Sequence, residues 1–206
     1  MKLYHSRNTR SLRALWMLEE MGVDYELDIL PFPPRVKQPE YLQINKLGTV
    51  PYFVDGDISM TESTGICQYL GDKYQSALVV SADHPEYGEY INWLHQSDAS
   101  LTFPQSLVLR YTVMDKNPET RVVAEQYKTW FLSRIQRASD RLKDHEYLVD
   151  DRFTIADIAV GYAIFLATKV PVAEGKIIDL LEPHMRAYLD RLMSRPAFIK
   201  AEALGA

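Results

Sequence analysis

The pattern of hydrophobic and polar positions changes character along the chain. Up to about residue 75 the apolar segments are short and mixed, whereas later ones are long and repeat every three or four residues, the helical spacing. In the first part, residues 2–5 and 25–29 read as strands. Between them an apolar, helix-favouring stretch covers residues 9–21 and stops at Gly22. Two strands joined by a helix of that length predict a right-handed parallel crossover. Pro31, Pro33 and Pro34 then impose a loop, with a short helix expected around residues 39–44. Residues 51–54 and 58–60 flank Asp55-Gly56-Asp57, a hairpin signal. Ile66, Tyr69, Leu70 and Tyr74 then give residues 62–74 a helical spacing.

After a polar break over residues 76–85 everything reads as helix, beginning with a long segment to about Met114 that Lys116-Asn117-Pro118 punctuates. Tyr127, Phe131, Ile135, Ala138 and Leu142 form one apolar stripe, and Met185, Tyr188, Leu189, Leu192 and Met193 another. Thr154 precedes Asp157 by three, with Phe153 and Ile158 flanking them, which predicts a capping box with a hydrophobic staple. The order of elements in the first part is thioredoxin-like. The expected fold class is therefore α/β plus all-α: an N-terminal thioredoxin-like βαβαββα domain over residues 1–75, a linker over 76–84, and an all-helical C-terminal domain over 85–206.

Composition narrows the function without naming it. The chain has 206 residues, 47% hydrophobic and 25% charged, with a formal charge of −5, which is ordinary for a globular protein and too apolar for disorder. No stripe of Lys and Arg breaks the acidic balance, so nucleic acid is not expected as a partner. The longest apolar run, residues 158–167, is half of what a membrane span needs, and no membrane partner is expected. The N-terminus lacks the apolar core of a secretory signal, and one cysteine, Cys67, forms no internal disulfide; a cytoplasmic location is expected. The five histidines show no ligand spacing, and no metal is expected. Dinucleotide, Walker A and nucleophile-elbow motifs do not occur. Adjacent acids such as Glu19-Glu20 and Asp150-Asp151 point apart on a helix and read as solvated faces.

Three short stretches carry candidate chemistry, and a thioredoxin-like order brings them to one sheet edge. Ser6-Arg7-Asn8-Thr9-Arg10-Ser11 joins the first strand to the first helix. Its hydroxyls and amide can cap that helix; equally, the helix terminus can hold an anion and lower a thiol pKa there. Thr49-Val50-Pro51 opens the third strand, either as a plain strand start or with backbone groups free to pair with an extended peptide. Glu62-Ser63 opens the next helix: a favourable first turn, or a carboxylate for an ammonium with a hydroxyl and N–H groups for a carboxylate. A ligand that uses all three has an amino-acid head, a peptide-like middle and a thiol, and glutathione fits.

The residues that carry this reading also carry a resemblance. Residues 8–20, the segment Asn45-Lys46-Leu47-Gly48-Thr49-Val50-Pro51, Glu62-Ser63, Phe153-Thr154-Ile155-Ala156-Asp157 and Arg195-Pro196-Ala197 occur in an order that resembles the cytosolic glutathione S-transferase family of bacterial type, over essentially the whole chain. The resemblance implies glutathione as co-substrate, with its γ-glutamyl group at Glu62 and Ser63 and its cysteinyl backbone at Val50, beside Thr49 and a cis Val50–Pro51 bond. It further implies Asp98 reaching the ligand of a partner subunit, hence a homodimer; Lys37, in the loop before Pro39, is a candidate for the glycyl carboxylate or else a solvated loop lysine. With no cysteine among residues 4–11, the thiolate partner is sought in the order Ser6, Asn8, Thr9, Ser11, Tyr4, with Tyr4 also fitting a core role. Lys46 and Gly65 stand where relatives often have proline and alanine.

The expected reaction is attack of the stabilised thiolate on a small hydrophobic electrophile, a detoxifying transfer of alkyl or aryl groups. Phe103, Leu107, Arg110, Tyr111 and Met114 on the first long helix are expected to line an electrophile pocket between the domains. Glutathione-dependent disulfide or peroxide reduction, isomerisation, and a non-catalytic interaction role on the same fold stay open as alternatives.

Overall fold

The computed structural model describes residues 1–115 and 117–205, so the Lys116 part of the expected break lies outside the described residues. Two compact units form: Met1–Val79 together with the segment from Met193, and Val80–Leu192. This differs from the expected helical domain over residues 85–206, because the C-terminal residues pack on the first unit.

In the first unit, β1 (Lys2–His5) lies between β2 (Glu26–Ile29) and β3 (Tyr52–Asp55), and β4 (Ile58–Met60) closes the sheet in the order β2-β1-β3-β4. The β1–β2 pair is parallel, as the crossover predicts, and the other two pairs are antiparallel. Between β3 and β4, Gly56 takes φ 60°, which glycine adopts without steric cost. Helix α1 (Ser11–Met21) fills the crossover and ends at Gly22, a left-handed cap at φ 63° whose N–H bonds the Leu18 and Glu19 carbonyls. A single turn, α2 (Pro34–Lys37), forms where the prolines predict only loop, with Pro34 at its first position, and a 3-10 turn follows at Pro39–Gln43. Helix α3 (Ser63–Lys73) packs on α1.

The two faces of the sheet bury different chemistry. Leu3 and Phe53, paired in register and fully buried, lie on one face. On the other, Tyr4 joins Leu30 and Tyr41, its ring 5.6 Å from that of Tyr41 and 5.8 Å from that of Tyr52. Tyr4 is thus a core residue. The C-terminal helix α9 (Pro196–Leu204) docks on α1: Trp16 meets Phe198 edge-on at 4.9 Å, and Arg195 grips Glu20 with two hydrogen bonds of 2.6 and 2.9 Å.

In the second unit, α4 (Tyr87–Gln96), α5 (Phe103–Leu109), α6 (Arg121–Arg141), α7 (Ile155–Ala167) and α8 (Pro183–Met193) carry the core. The expected long helix to Met114 is there, but it widens into π-helical turns at Ser97–Thr102 and Arg110–Met114. Pro104 has no N–H for the preceding turn; the Thr102 hydroxyl donates to the Ser97 carbonyl at 2.7 Å and the Gln105 amide to the Leu101 carbonyl at 3.0 Å. All residues of α7 are buried. One departure from all-helix is a two-strand ribbon, β5 (Pro171–Val172) with β6 (Gly175–Lys176). Among the described residues, no helix is long and apolar enough to cross a membrane.

Candidate functional site

The antiparallel β1–β3 register pairs Tyr4 with Tyr52, so its continuation sets Pro51 and Val50 beside His5 and Ser6. The first two candidate stretches therefore share one edge of the sheet. The third joins them from α3: a guanidinium N–H of Arg13, in the first turn of α1, donates to the Ser63 hydroxyl at 3.1 Å, with both residues buried. Because Ser63 accepts there, its own proton remains for an acceptor outside the chain. Glu62, the residue before α3, is exposed.

Within loop 6–10 the candidates separate by exposure. Ser6 is fully buried and its hydroxyl donates to the Leu30 carbonyl at 2.8 Å. Ser11 is also fully buried, 2.8 Å from His5 Nδ1 and 2.7 Å from the Thr9 hydroxyl. Ser6 heads the order expected for the thiolate partner, yet both serine hydroxyls are engaged within the protein. Thr9 is half-buried and donates to the Ser6 carbonyl at 2.7 Å. Asn8 is exposed, in the left-handed region at φ 59°, where asparagine is among the better tolerated residues. Among the described residues its side-chain amide has no hydrogen-bond partner. Helix α1 has no side-chain cap; the Leu12 and Arg13 N–H groups bond the Thr9 and Arg10 carbonyls at 3.0 and 3.1 Å.

The Val50 stretch is held by residues whose role sequence reasoning missed. Tyr41 Oη and Asn45 Nδ2 both donate to the Thr49 carbonyl, at 3.0 and 2.9 Å. Burial pushes the Tyr41 phenol up to about 12, so it keeps the proton it donates. Asn45 also accepts from the Leu47 N–H at 3.1 Å. Gly48 sits at φ 59°, and a Cβ there would come within 2.6 Å of the Arg35 Cβ. Thr49 is exposed, Val50 half-buried, and the Val50–Pro51 bond is cis, as the resemblance implies. Lys37 is exposed at the end of α2.

Electrostatics sort the remaining groups. Burial lowers His5 to about 4, against a smaller opposing effect of its hydrogen bond at Ser11, so the imidazole is neutral at ordinary pH. Burial raises the Cys67 thiol to about 12, partly offset by Arg13; it is a packed, unreactive thiol. Asparagine at 45 within the quoted motif was the one visible signal for the Thr49 clamp. Arg13 and His5 carried none, since each sits in an apolar run that looks like core. Of the remaining candidates, all in the second unit, Asp98 lies half-buried in the first π-helical turn. Phe103 and Arg110 are exposed, and Leu107 and Tyr111 half-buried. The Arg110 guanidinium stacks 5.9 Å from the Tyr111 ring. No cluster of His, Cys, Asp and Glu able to hold a metal occurs among the described residues.

Residues 1–72 match the family model described as the N-terminal domain of glutathione S-transferase, and residues 109–196 the model of its C-terminal domain. A glutathione S-transferase of Schizosaccharomyces pombe is 31% identical over 97% of this chain and 87% of its own. The chain belongs to the glutathione S-transferase family. A glutathione S-transferase of Zea mays is 30% identical over 99% of this chain and 96% of its own. Among solved structures, a theta class glutathione S-transferase from Xanthomonas axonopodis pv. citri with glutathione bound is 26% identical. It superposes with a TM-score of 0.79, covering 97% of this chain and 95% of that one. The bacterial transferase BphK, in a ternary complex, has the same fold at a TM-score of 0.83 and 22% identity, covering 100% and 99%.

Proposed function

We propose that this glutathione S-transferase family member binds glutathione along the edge formed by loop 6–10, Thr49-Val50 and Glu62-Ser63, and conjugates it to a small hydrophobic electrophile. The observation that carries the reading is the convergence of an exposed, unpartnered amide at Asn8, a clamped Thr49-Val50 strand start and the Arg13-held Ser63. Each has a complement on the tripeptide. The Glu62 carboxylate meets the γ-glutamyl ammonium, and the Ser63 hydroxyl with the N–H groups opening α3 meets its carboxylate. Val50 pairs its backbone with the cysteinyl residue, and Lys37 meets the glycyl carboxylate.

Asn8, and not Ser6, is the residue assigned to the sulfur, because its amide is exposed while the Ser6 proton goes to Leu30. Donation by Asn8 Nδ2 and the positive end of α1 favours thiolate over thiol. The thiol proton leaves to water, the sulfur forms a bond to the electrophilic carbon, and the leaving group departs with its electron pair. The protein supplies no covalent nucleophile. Choice of electrophile is assigned to Phe103, Leu107, Arg110 and Tyr111. In the same reading the active form is a cytoplasmic homodimer, in which Asp98 of one protomer reaches the glutathione amine of its partner.

The test is a calorimetric titration with glutathione, with thiolate absorbance against pH on the same sample. Binding with a thiol pKa below that of free glutathione supports the reading; absence of binding at millimolar glutathione overturns it. Asn8→Gly keeps a residue that tolerates the left-handed backbone and removes only the amide. It is expected to return the bound thiol pKa toward the free value, and an unshifted pKa would take Asn8 out of the site.

A further inference from the structure

Beneath the exposed loop lies a chain of short contacts that the proposed reaction does not itself require. Thr9 Oγ1 is 2.7 Å from the Ser6 carbonyl oxygen and 2.7 Å from Ser11 Oγ, which is 2.8 Å from His5 Nδ1. The Ser11 hydroxyl also lies 3.4 Å from the Ser6 carbonyl, a longer contact; among the three short ones, each hydroxyl having one proton and a carbonyl only accepting, the directions are fixed. Thr9 must donate to the Ser6 carbonyl, so Ser11 must donate to Thr9, and His5 Nδ1–H must donate to Ser11. Any other assignment leaves one of the three short contacts without a proton. The Ser6 N–H, 3.3 Å from Ser11 Oγ, adds a donor to the same oxygen. Sequence order thus ties residues 5, 6, 9 and 11 into one closed unit and leaves Asn8 at its apex.

The far side of the imidazole is fixed as well. Gly205, closing α9, lies so near that a Cβ on it would come within 2.4 Å of His5 Nε2. The ring is therefore held between the Ser11 hydroxyl and the C-terminal segment. Burial keeps it neutral, and its Nδ1 proton has one acceptor to serve.

We propose that His5 and Ser11 are positioning residues for the thiolate site, a directed hydrogen-bond relay that locks Thr9 and the Ser6 carbonyl and thereby aims the Asn8 amide at the glutathione sulfur. This rests on the reading of loop 6–10 as the thiolate site. The relay touches no substrate atom; it narrows the positions available to Asn8, and a donor that is already aimed stabilises the thiolate more than one that must be ordered. Its signature is a change in thiol ionisation that exceeds any change in glutathione affinity.

The experiment compares the parent protein with Ser11→Ala, Ser11→Thr, His5→Leu and His5→Asn, reading glutathione affinity by calorimetry and bound-thiol ionisation by absorbance against pH. Asparagine offers an amide nitrogen where Nδ1 stands, and threonine keeps the hydroxyl. Ser11→Ala and His5→Leu are expected to raise the bound thiol pKa by about half to one unit, a roughly three- to tenfold drop in the thiol ionisation constant. Affinity should change less than about twofold, and His5→Asn and Ser11→Thr should recover most of the ionisation. Should His5→Leu fail to fold, Ser11→Ala, which deletes one oxygen, carries the test alone. A folded Ser11→Ala variant that binds glutathione with the parental ionisation curve overturns the relay and leaves the thiolate site standing. A parent protein that binds glutathione without lowering its thiol pKa overturns the site itself, and the relay with it.

Discussion

Helices α1 and α7 both begin beside a buried cluster of short polar side chains, and the two clusters face opposite ways. At α7 everything turns inward. Thr154 Oγ1 accepts the Ala156 N–H at 3.2 Å, while Asp157 accepts the Thr154 N–H at 2.8 Å, the Leu148 N–H at 3.1 Å and the Tyr188 hydroxyl at 2.7 Å. Every residue of that helix is buried, so the capping box ties a loop, a helix start and α8 into one core. At α1 no side chain caps the first turn, and the serine and threonine hydroxyls bond each other, His5 and the Ser6 carbonyl. The exposed amide of Asn8 is left over. A helix start that satisfies itself holds structure together; one whose polar groups brace the approach and leave a donor outside is what the proposed thiolate site requires.

Removal of Asp157 should separate the two most sharply. Asp157→Ala strands four buried donors, the Thr154 hydroxyl at 3.2 Å being the fourth, and is expected to destabilise the protein by about 3–5 kcal/mol, the range for breaking a buried polar network. Chemical unfolding checks this, and a loss under about 1 kcal/mol would show that the cluster at α7 is dispensable.

Titration should split them next. Burial raises Asp157 to about 6, against hydrogen bonds that favour its charge, so the folded state holds a proton between the ordinary aspartate value of 3.8 and about 6 that the unfolded chain releases. Its share of stability is present below that window and lost as pH rises through it. His5 runs the other way: lowered from 6.5 to about 4, it gives stability that is full above 6.5 and lost as pH falls through about 4. Each window spans about two units, on the order of 3 kcal/mol. The parent should therefore show a nearly flat stability profile from about pH 4 to 6, by urea melts at several pH values. His5→Asn should leave a profile that falls with pH, and Asp157→Asn one that rises. Equal slopes in the two variants would refute the assignment.

The smallest expected effect lies at the ligand. Ser63→Ala removes a donor without disturbing either cluster and should weaken glutathione binding by about 1–3 kcal/mol in calorimetry. Unchanged affinity would take Ser63 out of the site.

Much of this contrast was legible in residue order. Gly22, the Asp55-Gly56-Asp57 turn and the Thr154–Asp157 pair announce themselves because a turn or a cap needs particular side chains at fixed offsets. The three candidate stretches stand out for the same reason. Arg13 and His5 were not, since periodicity marks which face is buried and says nothing about a charged or polar residue buried among apolar ones. The acceptor of the buried Ser6 hydroxyl is the Leu30 carbonyl, just after β2 and twenty-four residues away in sequence. The first π-helical turn lies just before Pro104, whose effect on hydrogen bonding is local but whose outcome depends on Thr102 and Gln105 reaching back. The docking of α9 on α1 is a contact between the two ends of the sequence, and no local pattern encodes it.

That last contact sets an order of events during synthesis. The N-terminal unit acquires its sheet, α1 and α3 within its first 79 residues, yet Trp16 and Glu20 wait for Phe198 and Arg195. The whole helical unit leaves the ribosome in between. At rates of about 5–20 residues per second, α1 presents an apolar and acidic flank to solvent for on the order of ten seconds before its last neighbour arrives. During that interval, the flank of the helix that later braces the proposed thiolate site is open to chaperones and proteases.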